Sequence, residues 1–236
     1  MDLQALARAV GERVAPGAPA EAGWWLPVSL LMAAVVVTAP PLWRLTRPAV
    51  TIVHELGHAF VGILVGRRFA GFVVSSDMSG HAVTVGPRRG IGRVLTLWAG
   101  YPAPAILGAS LVQLALRGWA GAALFAALAV LVVSLLFTRS GHTVLAVLAA
   151  AAATGALWWW GSPWLVTSLT LAAGAFLLLG AWRHLGAVLS SRRRTEDPAH
   201  LAQVTGIPAM LWSLSFMLVI GACTVWAGAA LSPLLP

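Results

Sequence analysis

The stretch TIVHELGHAFVGILVGRR, residues 51–68, sets two histidines and a glutamate inside an apolar run that ends in two arginines. Ionisable groups inside a membrane span cost several kcal/mol unless they are paired or used. Glu55 is the only charged residue between Arg47 and Arg67. His54-Glu55-Leu56-Gly57-His58 reads as H-E-x-x-H. On a helix, positions i and i+4 share a face, so both imidazoles can reach one metal ion. Two neutral imidazole nitrogens suit Zn²⁺. Glu55 then lies on the flank of the ion. There it can take a proton from a metal-bound water, and the hydroxide attacks a carbonyl carbon whose oxygen the zinc polarises.

The rest of the chain supplies the membrane. Of 236 residues, 59 % are hydrophobic and 9 % charged, with a mean hydropathy of +0.87. A soluble domain carries roughly a quarter charged residues, so an integral membrane protein is expected. All fifteen basic residues are arginine, and the formal net charge is +8. They lie between apolar runs and not on one amphipathic face, which argues against nucleic acid as a partner and for orientation in a lipid bilayer. The single cysteine, Cys223, lies in an apolar run. It forms no intramolecular disulfide, and packing or lipid contact is its expected role.

A spanning helix needs about 20 mostly apolar residues. Seven stretches qualify: 24–42, 48–66, 93–116, 120–138, 142–160, 163–183 and 207–231. Gly161 and Pro163 separate the fifth from the sixth, and Trp158, Trp159, Trp160 and Trp164 suit an interfacial belt. With the amino terminus in the cytosol, twelve arginines fall on the cytosolic side and only Arg44, Arg47 and Arg117 outside. The carboxy terminus then lies outside. Residues 1–23 form an amino-terminal surface segment, with Leu3, Leu6, Val10 and Val14 at helical spacing. Residues 24–236 make one membrane-embedded domain. Around the turn-rich SSDMSG, β-branched and aromatic residues predict a hairpin over 69–85 on the cytosolic side. The expected fold is an all-α polytopic membrane protein of about seven helices, with a β-hairpin after the second.

A catalytic zinc usually takes three protein ligands. Few residues can serve as the third: Asp77, Glu196, Asp197 and His200 are open on chemistry. Asp77 lies in the hairpin turn, where its own turn hydrogen bonding explains it. Asp197 precedes Pro198, which suits a helix N-cap.

TIVHELGHAFVGILVGRR, then a hairpin with SDMSG, then LTLWAGYPAPAILG, then EDPAHLAQVTGIPAMLW at 196–212, together resemble the site-2-protease (M50) family of intramembrane zinc metalloproteases, and its bacterial M50B-like branch in particular. The resemblance covers roughly 48–115 and 183–220. It implies a zinc metalloendopeptidase of a bacterial plasma membrane that hydrolyses membrane-anchored protein substrates. It also implies that Asp197 is the third ligand beside His54 and His58, with His200 and Asp77 as alternatives. Gly206 and Pro208 permit the bend that would carry Asp197 inward.

Two features depart from the family. There is no Leu-Asp-Gly motif, and no asparagine anywhere to stabilise an oxyanion. His142 and His81 qualify for that role by chemistry alone, and each also reads as an interfacial histidine. His184 reads as a surface residue. Pro102 and Pro104 are expected to kink the third span, with Gly100 and Gly108 allowing close helix contact. Two rival functions stay open. One is a non-catalytic zinc-bound relative acting in partner binding. The other is a transporter, which the scarcity of acids in the spans disfavours.

Overall fold

The computed structural model describes residues 2–75, 80–190 and 196–234. Asp77 and Arg193 lie outside them. Helix α1 (Leu3–Val14) is capped by the Asp2 side chain, which accepts from the Ala5 amide. Then come α2 (Trp25–Thr38), α3 (Pro40–Leu64), β1 (Arg68–Val74), β2 (Gly80–Val85), α4 (Ile91–Trp98), α5 (Pro102–Leu116), α6 (Ala120–Ser134), α7 (Gly141–Trp160), α8 (Pro163–Ser190), α9 (Asp197–Thr205) and α10 (Ala209–Leu231).

Among the described residues, four helical stretches are long and apolar enough to cross a membrane alone: 120–137, 141–160, 163–190 and 209–234. Two bent pairs, α2 with α3 and α4 with α5, raise the number to six. The expected count of seven is not confirmed, because its first two stretches, 24–42 and 48–66, fall on the two arms of one bent pair. Helix α2 has 14 residues, about 21 Å, which is short of a bilayer core of roughly 30 Å. It meets α3 at 98°. Proline explains the corner. Pro41 has no amide hydrogen to give the carbonyl of Val37, four residues back. The Arg183 guanidinium of α8 donates to that carbonyl instead and lies over the Trp43 ring at 4.7 Å.

The second break has the same origin. Pro102 and Pro104 withhold amides from Trp98 and Gly100, and α4 meets α5 at 59°. This is the kink anticipated from the sequence. Beyond it, α5 packs closely on α8. A Cβ on Gly108 would meet the Gly174 carbonyl at 2.6 Å, and one on Gly174 would meet the Gly108 carbonyl at 2.7 Å. Two bare glycines let these backbones touch.

The hairpin is antiparallel, with Phe72 opposite Ala82 and Val74 opposite Gly80. A bulge between Phe69 and Gly71 turns the Ala70 carbonyl toward Arg139, which donates to it. The outer edge of β1 is tied to the segment before α7 and to its first turn. Arg139 donates its amide to the Phe72 carbonyl at 3.0 Å, and the Val74 amide donates to Thr143 Oγ1 at 2.8 Å. Phe72 and Val74 are fully buried with Ile52 and Val147.

These contacts fix which end of the bundle each segment occupies. The hairpin bonds to residues that follow α6. The amino-terminal segment bonds to residues that precede it: Gly17 donates to the Gly118 carbonyl at 2.9 Å and Ala20 to the Leu116 carbonyl at 2.8 Å. The two therefore lie at opposite ends of α6, and the expectation that both face the cytosol does not hold. Helix α10 runs alongside α5 in the same direction. Trp98 donates to Ser215 at 3.0 Å, and Gln113 donates to the Trp226 carbonyl at 3.1 Å. The described carboxy-terminal residues thus reach the amino-terminal end.

Candidate metal centre

Helix α3 buries one face, with Val50, Thr51, His54, Glu55, His58, Ala59 and Gly62 inward, while Phe60, Ile63 and Leu64 point outward and are exposed. The inward residues follow the i, i+4 spacing, so the two histidines stack one turn apart on the buried side. Gly57 lets α3 close on the α4–α5 corner, since a Cβ there would lie 2.9 Å from the Ala99 carbonyl.

His54 Nε2 and His58 Nε2 are 3.1 Å apart. Asp197 Oδ2, from the first turn of α9, lies 3.2 Å from the first and 3.1 Å from the second. The N-cap of α9 is Glu196, and Asp197 turns inward. Helix α9 ends at Gly206, whose φ of +75° is the left-handed conformation glycine accepts without strain. A sharp turn there frees α9 to lie against α4 while α10 descends separately.

His58 Nδ1 lies 2.7 Å from the Thr96 carbonyl. A carbonyl only accepts, so Nδ1 carries the hydrogen and Nε2 of a neutral ring is a bare lone pair. His58 Nε2 and Asp197 Oδ2 are then two acceptors facing each other, and such atoms repel unless a cation stands between them. Among the described residues, Asp197 Oδ2, Glu55 Oε2 and His54 Nδ1 are all buried without a hydrogen-bond partner. A tetrahedral ion about 2.1 Å from each ligand holds its donor atoms roughly 3.4 Å apart, close to the spacing here. Gly100 makes the room, because a Cβ there would collide with the Nε2 atoms of both imidazoles. The donor set and its spacing therefore fit a divalent ion.

Glu55 sits beside this triangle, 2 % exposed, against Gly80 of β2, where a side chain would occupy the carboxylate's place. A cavity of about 200 Å³ opens here, lined by His54, Glu55, His58 and Asp197 together with His81, Arg93, Thr96, Glu196 and His200. His81 and His200 thus reach the cavity, but His200 is not among the three converging donors. His142 is elsewhere, with Nδ1 3.0 Å from the Val74 carbonyl.

Two neighbours were not anticipated. Tyr101, the only tyrosine of the chain, sets its ring edge-on to His54 at 4.7 Å, stacks on Phe216 at 5.0 Å and donates to Glu196 Oε2 at 3.3 Å. His184, expected at the surface, packs against His54 and Tyr101 with ring centroids 5.3 Å away. A sole tyrosine beside a helix-breaking Pro-Ala-Pro is a signal that could have drawn attention to the first. Nothing local marks the second.

The family described as Peptidase M50B-like matches residues 28–227, a span that contains every residue of this centre. No curated protein and no solved structure matches the chain. The match covers most of the sequence, and the chain belongs to the Peptidase M50B-like family.

Proposed function

We propose that this protein is an intramembrane zinc metalloendopeptidase, with His54, His58 and Asp197 as metal ligands and Glu55 as general base. The observation that carries this reading is the convergence of three buried donor atoms at 3.1–3.2 Å beside Glu55, whose buried Oε2 has no hydrogen-bond partner among the described residues. Zn²⁺ suits a His, His, carboxylate set. When bound, the ion supplies a Lewis acid that lowers the pKa of water and polarises a carbonyl. The chain supplies the rest. Thr96 fixes the His58 tautomer. Tyr101 holds Glu196, and through it the start of α9 that presents Asp197. Glu55 accepts the proton of the attacking water and returns it to the departing amine.

The substrate in this reading is a membrane-anchored protein, entering as an extended strand. Its backbone pairs with the edge of β2 that β1 leaves open. The hairpin end faces the cytosol, since Arg67, Arg68, Arg88, Arg89, Arg93 and Arg139 lie there against Arg8, Arg13 and Arg117 at the other end. Six spans then place both termini outside.

The test uses purified protein in vesicles with a transmembrane substrate. Zinc is expected at one equivalent per chain, cleavage is expected to stop with a chelator, and added zinc is expected to restore it. Stoichiometric zinc with no cleavage of any substrate would instead favour the non-catalytic relative.

A further inference from the structure

We infer that Arg93 selects substrates carrying an acidic side chain within a few residues of the bond that is cut. This rests on the peptidase reading above. Arg93, Thr96, Leu97 and Gly100 follow one another at i, i+3, i+4 and i+7, a single stripe on the α4 side of the centre. Gly100 backs the imidazoles, and the Thr96 carbonyl holds His58. Arg93 is one turn further out, about 5 Å along the axis from Thr96, and lines the same cavity.

Its guanidinium is unspent. Arg67 next to it donates to Thr84 Oγ1 at 3.3 Å and to the Pro87 carbonyl at 2.7 Å. Arg139 and Arg183 are likewise engaged by the carbonyls of Ala70 and Val37. The Arg93 guanidinium has neither a hydrogen bond nor an ion pair among the described residues. Burial, and the charge of Arg93 close by, push the pKa of Arg67 below its ordinary value. The Arg67 guanidinium is thus close to Arg93 but engaged, and of the two only Arg93 lines the cavity.

The charge balance of the cavity favours an anion. A divalent ion offsets Glu55 and Asp197. Of the described lining residues, Glu196, which accepts from Tyr101, is then the one carboxylate left facing Arg93, with the charge of Arg67 close by. A guanidinium binds a carboxylate through two parallel hydrogen bonds, which gives direction as well as attraction. Arg88 and Arg89 are exposed at the same end and suit lipid headgroups. Arg93 is set apart from them by sharing a wall with the catalytic base.

The experiment compares matched transmembrane peptides in which Asp, Asn or Lys is moved stepwise through the residues flanking the cut, using zinc-loaded full chain in neutral vesicles and in vesicles with anionic lipid. Wild type is expected to prefer the acidic peptide by about ten-fold in kcat/KM, mainly through KM. Arg93→Lys keeps part of the preference, Arg93→Gln erases it, and Arg93→Glu transfers it to the Lys peptide. Equal cleavage of all peptides by wild type, or an unchanged preference in Arg93→Glu, overturns the inference and leaves the peptidase reading standing. An Arg93 effect that appears only in anionic vesicles, alike for every peptide, assigns the residue to lipid and also overturns it. Binding of the same peptides to Glu55→Gln protein reads the preference without turnover. If wild type cuts nothing while this binding order persists, the peptidase reading falls and the selectivity of Arg93 remains.

Discussion

At the hairpin end, about 200 Å³ of space is bounded by four imidazoles, three carboxylates and a guanidinium. At the opposite end, about 910 Å³ lies between the amino-terminal segment and the ends of α6, α7 and α8. The larger space also has charges, Glu12, Arg13 and Glu21, and is walled by Trp25, Trp158, Trp159 and Trp164. Its charged groups are differently employed. Arg13 donates to the Trp158 carbonyl at 2.6 Å and stacks over Trp159 at 5.7 Å, so its guanidinium is used in docking α1. In the smaller space, by contrast, Glu55 and Asp197 keep buried oxygens without a donor. Volume does not separate a reactive centre from a gap between packed segments. Unsatisfied groups that converge do.

The sharpest way to break this contrast is at Glu55. Glu55→Gln is expected to lower hydrolysis by about 10³-fold or more while zinc stays bound, whereas His54→Ala and Asp197→Ala lose the metal as well. Metal analysis beside a cleavage assay separates the two classes, and wild-type turnover by Glu55→Gln removes the catalytic assignment. Gly100→Ala comes next. The added methyl pushes on both Nε2 atoms, and a displacement near 1 Å costs about 10²-fold in rate, with about 1–3 kcal/mol of stability from overpacking. Thermal unfolding and zinc affinity should fall together.

Tyr101→Phe keeps the ring contacts and removes only the hydrogen bond to Glu196, so a loss of about 1 kcal/mol is expected. It should appear as weaker zinc retention, because Glu196 leads directly into Asp197. A variant with unaltered zinc affinity would leave Tyr101 a packing residue. The smallest effect is expected at the other end. Arg13→Gln should loosen α1, seen as faster proteolysis within 15–22, and leave hydrolysis unchanged. With Cys223→Ser as background, single cysteines at Glu12 and Arg88 should react with an impermeant reagent from opposite faces of the membrane. Labelling of both from one face contradicts the end assignments.

The parts of the centre that share one helical turn were legible in the sequence. His54 and His58 meet because they are four residues apart on one helix, and Gly57 between them clears the way. Asp197 carried no such local mark, since proximity across 143 residues is a property of the packing; only likeness to a family pointed there. The hairpin was legible from its alternation and turn residues, and its strands lie within a residue or so of the expected bounds. The spans were harder. A hydropathy window counts apolar residues but holds no information about direction, so the Pro40-Pro41 corner separated two spans on paper where the chain bends at 98°. The side assigned to the amino terminus rested on that count. Trp158 shows the same limit: it reads as part of an interfacial belt with Trp160, yet Trp158 is 6 % exposed and Trp160 77 %.

The corner at Ala39 also bears on biosynthesis. The arm that follows it holds Arg44, Arg47, His54, Glu55 and His58. Its bend is completed by Arg183, and its triangle of donor atoms by Asp197. Both leave the ribosome long after α3. A nascent chain therefore holds His54, Glu55 and His58 for most of its synthesis without Asp197, and the three donors converge only once α8 and α9 have been delivered.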